Sequence, residues 1–161
     1  MAAIGQSDNN YTTVALSRYV TAVASGKKYN YQLMDRIVDA SGKTVKKYKA
    51  DYEDISDTLT DSQWDALHSG MRQVVSTMDR FQGFDIPVAG KTGTAQQTGH
   101  ANHGLFIGYA PYDDPEITIA VRIANGYSSH NAATAARNVI SYYYKAVSYT
   151  HLRAHETLAN L

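Results

Sequence analysis

An alternating apolar segment and the short link before it constrain the fold of this chain most strongly. In residues 117–123 every second side chain is a branched apolar one, namely Ile117, Ile119, Val121 and Ile123. This period of two is typical of a half-buried β-strand. The apolar segment 105–110 precedes it, and the link from Pro111 to Pro115 is too short for a crossover between parallel strands. The two segments are therefore predicted to be antiparallel strands of one sheet, with a third strand in residues 85–95.

Three other segments have the spacing of amphipathic helices. The first is predicted to begin after a cap at Asn9, Asn10 or Thr12 and to end at Gly26. The second runs from about residue 62 to 80, after the capping-box pair Thr60 and Gln63, and the third starts near residue 129 or 131. Their predicted buried faces are, in order, Leu16, Tyr19, Val20 and Val23; Trp64, Leu67, Met71, Val74, Val75 and Met78; and Ala132, Ala135, Ala136, Val139, Ile140 and Tyr143.

A solvent-facing hairpin is predicted between the first two helices. Residues 29–39 and 43–49 are separated by Ala40-Ser41-Gly42, a polar turn with a glycine. The element order is thus helix, hairpin, helix, three strands, helix. This order predicts an α/β fold of the α+β type, in which helices flank an antiparallel sheet.

Length and charge exclude several classes of protein. The 161 residues fit one domain, or one piece of a larger one, and the 15 basic residues balance the 15 acidic ones. A nucleic-acid-binding protein usually has a basic excess, so no nucleic-acid partner is expected. The absence of cysteine excludes disulfides, thiolate catalysis and zinc sites with cysteine ligands. No apolar run approaches the roughly 20 residues that span a bilayer, so no membrane segment is expected in this chain.

The last residues depart from the pattern of the third helix. Residues 148–161 lack a periodicity that would continue it and resemble a translated sequencing-adaptor read-through. We therefore assign residues 1–147 to the domain and residues 148–161 to a non-native tail. His151 and His155 have the i, i+4 spacing of helical metal ligands, but their order relative to Glu156 is not that of the zinc-protease motif. Neither a metal site nor a cofactor is predicted.

The segment Gly90-Lys91-Thr92-Gly93-Thr94 contains the most informative motif, and three interpretations of it compete. A phosphate-binding P-loop is rejected, because Asp85 occupies the position where that motif requires a glycine. The second interpretation is an edge strand with a glycine and an exposed lysine. The third is the Lys-Thr-Gly strand of the serine acyl-transferases that bind penicillin.

The neighbouring motifs favour the third interpretation. Residues 88–96 resemble the Lys-Thr-Gly strand of class B penicillin-binding proteins, and residues 102–117 resemble the next strand pair of that family. Gly70-Met71 with Val74-Val75 resembles the helix before the motif, and residues 4–12 resemble the entry to the later part of the transpeptidase domain. The resemblance covers about residues 3–144. It implies a β-lactamase/transpeptidase-like fold, represented here by its C-terminal portion and incomplete at its N-terminal side.

The resemblance also implies an activity and roles for named residues. The family cross-links peptidoglycan: a serine attacks the D-Ala-D-Ala amide of a stem peptide, and the acyl group passes to an amine of a neighbouring strand. Lys91 would add positive potential near this nucleophile. Thr92 and Thr94 would bind the substrate carboxylate, the backbone N–H of Thr94 would donate to the oxyanion, and Gly93 would leave room for an extended peptide. His103 matches a histidine of the family and is expected to support the site by hydrogen bonding.

The nucleophile is expected to lie outside this chain. Ser25-Gly26-Lys27-Lys28 and Ser7-Asp8-Asn9 fit the family's Ser-x-x-Lys and Ser-x-Asn strings, but they occur in the reverse of the family order. Ser25 also lies at the predicted end of a helix, whereas the family's nucleophile begins one. We therefore expect the catalytic serine upstream of Met1, and this polypeptide alone to be inactive.

The resemblance implies partners and a location as well. The expected partners are a peptidoglycan stem peptide, β-lactams and the missing N-terminal half of the same domain. The parent protein would be membrane-anchored and would face the cell wall, on the extracytoplasmic side of the bacterial membrane. Two alternatives share the fold: a noncatalytic penicillin-sensing domain and a serine β-lactamase-type hydrolase.

Overall fold

The computed structural model describes the backbone of residues 10–159 and the side chains of residues 10–145. Its elements follow the predicted order. The helices are α1 (Thr13–Ser25), α2 (Asp61–Ser76) and α3 (Ser129–Ala159). The strands are β1 (Lys27–Tyr29), β2 (Arg36–Val38), β3 (Thr44–Lys47), β4 (Tyr52–Asp54), β5 (Ala89–Ala95), β6 (His103–Ala110) and β7 (Ile117–Ile123). Single 3-10 turns lie at Ser56–Thr58 and Asp79–Phe81.

The central sheet contains β5, β6 and β7 in sequence order, and both strand pairs are antiparallel, as predicted. Lys91 lies opposite Ile107, and Gly93 lies opposite Leu105, which in turn lies opposite Arg122. Because β6 is the middle strand, β5 is an edge strand of this sheet. The segment that carries the Lys-Thr-Gly motif is therefore extended and lies at the rim of the sheet.

Helices cover both faces of the sheet. On one face, α1 and α2 pack against Ala89 and Tyr109, and this cluster also contains Val20, Val23 and Met71. On the other face, α3 packs its alanines against Phe106. Alanine at this contact allows the helix axis to approach the sheet closely. The fold is thus the predicted sheet with flanking helices.

Two tyrosines with buried hydroxyl groups, Tyr109 and the partly buried Tyr144, affect the electrostatics of the core. Tyr109 is 1% exposed, and its hydroxyl has no hydrogen-bond partner. Burial raises the pKa of Tyr109 to about 12, with the nearby Tyr112 adding to the effect. Burial also raises the pKa of Tyr144 to about 12, with a further contribution from the charge of Glu116. Both phenols therefore resist ionisation in the folded state.

The predicted helix caps are confirmed. Thr12 is the N-cap of α1 and accepts a hydrogen bond from the Ala15 N–H at 3.1 Å, and Gly26 ends the helix with a φ of 66°. A reciprocal capping box joins Thr60 and Gln63 at the start of α2. These caps satisfy backbone groups that have no partner within the helix. They explain why both helices begin where the sequence indicates.

The predicted hairpin forms two successive antiparallel ribbons instead of one. β2 pairs with β3 around the turn at residues 40–42, while β1 pairs with β4 nearer its base. Asp39 Oδ1 accepts hydrogen bonds from the Ser41 and Lys43 N–H groups at 2.9 and 3.0 Å. These bonds lower the pKa of Asp39, with the Ser41 hydroxyl making the largest contribution. None of the predicted site residues lies in either ribbon.

Four details differ from the predictions. Tyr19 is 55% exposed, because it lies at the rim of a groove of about 670 Å³ between α1 and α2 rather than beneath α1. On α3, Val139 is half exposed and Ala133 is buried, so the buried face is rotated from the predicted one. The helix α3 also continues to Ala159 instead of ending near residue 147. Residues 148–159 contain neither proline nor glycine, so nothing in them breaks a helix.

The second helix is shorter than predicted, since α2 ends at Ser76 and residues 79–81 form a separate 3-10 turn. None of the helices within residues 10–159 combines the length and the apolar character that a membrane span requires.

Candidate functional site

The start of β5 is fixed from two directions. A guanidinium N–H of Arg72 on α2 donates to the Val88 carbonyl at 3.1 Å. Immediately before it, the Pro87 carbonyl accepts a hydrogen bond from the Tyr112 N–H at 2.7 Å. Val88 itself is fully buried. The motif therefore follows a rigid segment, which sets the position of each residue from Lys91 onward.

The side chains of the motif alternate between the two faces of the sheet, since β5 is extended. Lys91 and Gly93 lie on the face that α1 and α2 partly cover, and Thr92 and Thr94 lie on the α3 face. The structure thus places all four residues of the motif, 91–94, on the edge strand of the sheet. Residues 91 and 93 face one side of the sheet, and residues 92 and 94 face the other.

Lys91 is exposed, and its ammonium donates to the carbonyl of Thr92 at 2.9 Å. Among the described side chains, the two ion pairs are Lys28 with Glu53 and Arg36 with Asp35, and neither involves Lys91. The positive charge of Lys91 is therefore not neutralised by a carboxylate in this part of the chain. It is available to an incoming anion or to a polar group from another segment.

Thr92 is half buried and lines a cavity of about 780 Å³ between the end of α2, β5 and the start of α3. Thr94 is exposed on the same face of the strand. The other residues lining the cavity are Val74, Thr77, Met78, Asp79, Arg80 and His130. The Thr92 hydroxyl therefore lies at an open, mixed polar and apolar surface.

Gly93 borders open space on the Lys91 side. A Cβ atom built at Gly93 would meet only the Leu105 Cβ, at 3.6 Å, which is an ordinary van der Waals distance. By contrast, a Cβ at Gly90 would lie 2.5 Å from the Phe106 ring and 2.7 Å from the Ile107 carbonyl oxygen. Gly90 is thus required for packing, whereas Gly93 is not.

His103 lies at the far end of the sheet, opposite Ala95, in a network that the sequence did not reveal. Its Nδ1 accepts a hydrogen bond from the Asn125 N–H at 3.1 Å and lies 2.9 Å from the Gln97 amide nitrogen. The same Gln97 amide donates to the Asn125 side-chain oxygen at 3.1 Å. Asn125 has a φ of 52°, and its position directly before Gly126 is a local sequence signal of a turn. The network joins the segment after β5 to the turn before α3.

The serines weighed as nucleophiles have other positions. Ser25 is the last residue of α1, as expected, and its hydroxyl donates to the Thr21 carbonyl at 2.7 Å. Lys28 pairs with Glu53 across β1 and β4 instead of approaching Ser25. Ser7 lies outside the described residues. The geometry around Ser25 therefore contains no lysine base on the following helical turn.

Metal ligation has no candidate within the described side chains, where no three His, Asp or Glu residues cluster suitably. His151 and His155 belong to the part of α3 whose side chains are not described.

Comparisons with known proteins identify the family. The family model described as the penicillin-binding protein transpeptidase domain matches residues 1–141. Among curated relatives, the peptidoglycan D,D-transpeptidase MrdA of Haemophilus influenzae is 29% identical over 87% of this chain and 25% of its own length. Penicillin-binding protein 2B of Streptococcus pneumoniae is 30% identical over 89% of this chain and 24% of its own length. The chain thus spans about a quarter of the length of these relatives.

Solved structures have the same fold. Penicillin-binding protein 2 of Pseudomonas aeruginosa, solved in complex with WCK 5153, superposes with a TM-score of 0.71 at 30% identity over 87% of this chain and 32% of that chain. An imipenem acyl-enzyme complex of penicillin-binding protein A from M. tuberculosis gives a TM-score of 0.77 at 22% identity, covering 88% of this chain and 32% of that chain. The chain therefore belongs to the transpeptidase-domain family of penicillin-binding proteins, in its class B branch.

Proposed function

We propose that this chain supplies the Lys-Thr-Gly strand of a peptidoglycan D,D-transpeptidase. The observation that carries the proposal is the state of β5: an edge strand with an exposed, uncompensated Lys91 and open space beside Gly93. An edge strand can bind an extended peptide alongside it, and a glycine at its centre leaves room for that peptide. The curated relatives whose names include this activity support the choice of reaction.

In the proposed reaction a serine hydroxyl attacks the D-Ala-D-Ala carbonyl, and the C–N bond breaks to release the terminal D-Ala. The acyl-enzyme ester then reacts with an amine of a neighbouring strand, which forms the cross-link and regenerates the serine. The backbone N–H of Thr94 donates to the oxyanion that develops at the carbonyl. Such a donor contributes about 3–4 kcal/mol of transition-state stabilisation.

The other residues of the motif have supporting roles. The Lys91 ammonium raises the local positive potential, which favours the anionic transition state and the ionised serine. The Thr92 and Thr94 hydroxyls bind the substrate carboxylate at the edge of β5. Through its bonds to Gln97 and Asn125, His103 holds the segment that follows Thr94. It is a positioning residue rather than a catalytic one.

The serine and its lysine partner are supplied by the N-terminal half of the same domain, which packs beside Lys91. β-Lactams acylate that serine in place of the stem peptide; solved relatives in acyl-enzyme complexes with imipenem and ceftriaxone support this part. The parent protein acts at the extracytoplasmic face of the bacterial membrane. Residues 148–161 are a non-native extension that has no part in the reaction.

Labelling with a fluorescent penicillin, followed by denaturing electrophoresis, tests the proposal. The chain alone is expected to remain unlabelled. When it is joined to the upstream half of a class B transpeptidase domain, the product is expected to be labelled. Replacing Lys91 by Met in that product is expected to slow acylation by about two orders of magnitude, as when one preorganised electrostatic group is removed.

A matched control is Lys28→Met, which removes an exposed lysine distant in sequence from the motif. This control is expected to acylate normally. Stoichiometric labelling of the chain alone, lost in Ser25→Ala or Ser7→Ala, would contradict the proposed source of the nucleophile. Equal acylation rates for Lys91→Met and Lys28→Met would contradict the role of the motif.

A further inference from the structure

The hydrogen bonds around His103 determine which ring nitrogen carries the proton. The backbone N–H of Asn125 can only donate, and it lies 3.1 Å from Nδ1. The Gln97 amide nitrogen lies 2.9 Å from the same atom, but the Ala101 carbonyl at 3.0 Å and the Asn125 side-chain oxygen at 3.1 Å accept its two N–H groups, so the Asn125 N–H is the donor to Nδ1. Nδ1 must therefore provide its lone pair, and in the neutral ring the proton lies on Nε2.

Arg122 then creates a conflict on the other side of the ring. Its Nη2 lies 2.8 Å from His103 Nε2. A guanidinium has five N–H donors and no acceptor, so it cannot accept the Nε2 proton. Two donors thus converge without an acceptor between them. A small movement of the exposed Arg122 side chain would admit an acceptor atom that both N–H groups can bind.

The position of this pair makes it accessible. Arg122 is exposed and lies opposite Leu105, which lies opposite Gly93, on the same face of the sheet as Lys91. The spacing of neighbouring strands places Arg122 about 10 Å from Gly93. The helices α1 and α2 pack at the Tyr109 end of this face, so within the described side chains, residues 10–145, they leave the His103 end uncovered. No described carboxylate forms an ion pair with Arg122.

We propose that Arg122 and His103 form a binding site for a carboxylate, separate from the carboxylate position at Thr92 and Thr94. One carboxylate oxygen accepts from His103 Nε2, and the guanidinium binds the anion through its remaining N–H groups. The single positive charge of Arg122 matches the single negative charge of the ligand. The identification of this carboxylate as part of a bound stem peptide rests on the proposed function, whereas the site itself does not.

Titration of the chain with N-acetylglycine, followed by ¹⁵N NMR of the His103 ring and the Arg122 side chain, tests the site. Saturable shifts of both residues are expected, with a millimolar dissociation constant, because an exposed ion pair is weak. N-acetylglycinamide, which lacks the negative charge, is expected to cause no saturable shift. Arg122→Gln is expected to weaken binding by at least about tenfold, the loss that follows when one charge-assisted hydrogen bond is removed.

Lys28→Gln is the matched control, since it removes an exposed cation elsewhere in the chain and is expected to leave the shifts at His103 unchanged. The absence of saturable shifts in the unmodified chain would overturn the proposal. So would equal binding by Arg122→Gln with a native NMR spectrum, or tighter binding of inorganic phosphate than of N-acetylglycine. None of these results changes the expected penicillin labelling of the serine or its dependence on Lys91. Failure of the Arg122 site can therefore be distinguished from failure of the proposed function.

Discussion

The two glycines that flank Lys91 and Thr92 provide the sharpest test of how β5 functions. Alanine at Gly90 would place its Cβ 2.7 Å from the Ile107 carbonyl oxygen and 2.5 Å from the ring of Phe106. Phe106 is fully buried, so its ring has no space in which to move aside. Alanine at Gly93 would meet only the Leu105 Cβ, at 3.6 Å. The two substitutions add the same methyl group to opposite faces of one strand.

Only the substitution at Gly90 is expected to destabilise the fold. Overpacking of a core costs about 1–3 kcal/mol, so Gly90→Ala is expected to lower the free energy of unfolding by that amount. Glycine within a strand is less stable than alanine by roughly 0.5–1 kcal/mol, so Gly93→Ala is expected to be neutral or slightly stabilising. If Gly93 exists to admit a peptide, Gly93→Ala should nevertheless slow acylation in the chain joined to its upstream half.

Urea-induced unfolding, followed by the fluorescence of Trp64, measures both effects. Trp64 is the single tryptophan and donates to the Ser56 carbonyl at 2.8 Å, so unfolding changes its environment. Penicillin labelling then gives the second measurement. A Gly93→Ala variant that unfolds as readily as Gly90→Ala would refute the packing argument. One that is stable and fully acylated would refute the functional assignment of Gly93.

The remaining predictions concern single groups. Because burial raises the pKa of Tyr109 to about 12, stability is fully present below pH 10 and is lost as the pH rises to about 12, by up to about 3 kcal/mol. Tyr109→Phe is expected to remove that loss in alkaline urea titrations, while Tyr144 retains its own contribution; an unchanged titration would contradict this. Thr60→Ala should lower the free energy of unfolding by about 1 kcal/mol, since Gln63 loses its capping partner. An unchanged free energy of unfolding would show that this cap does not stabilise the fold. ¹⁵N NMR should detect the His103 proton on Nε2, and its detection on Nδ1 would contradict the network.

Local signals in the sequence predicted most of the fold. The period of two in residues 117–123 coincides with β7, and the short link before it favoured the antiparallel pairing that the structure has. Thr12 and Thr60 mark helix starts because a hydroxyl that binds nearby N–H groups acts over three residues. Such interactions depend on sequence neighbours alone. The segment containing Lys91 was predictable for a further reason, which is that several family motifs occur in order around it.

The features that the sequence did not predict depend on residues far apart in the chain. The pairing of β1 with β4 joins residues 27–29 to residues 52–54, and no local pattern specifies that partner. The contacts of His103 with Asn125 and Arg122 exist only because the strand register brings residues about 20 positions apart together. Tyr19 fits the helical spacing of a buried face, yet it remains exposed because α2 does not extend over it. The spacing of apolar residues identifies one face of a helix. How much of that face is buried depends on how far the neighbouring helix extends over it.

The uneven covering of one sheet face is the feature that connects packing with chemistry. At the Tyr109 end, α1 and α2 exclude water so completely that a phenol hydroxyl remains without a partner. At the other end the same strands have the exposed cations Lys91 and Arg122, with Gly93 and Leu105 lying between them. Because the strands are continuous, the packed end holds the backbone of the other end rigid, which fixes the positions from which the Lys91 and Arg122 side chains extend. A rigid strand with unneutralised cations is suited to a ligand that is both extended and anionic, as a peptide with free carboxylates is. This arrangement also explains why substitutions on the same strand should divide sharply into those that alter stability, such as Gly90→Ala, and those that alter only binding, such as Gly93→Ala.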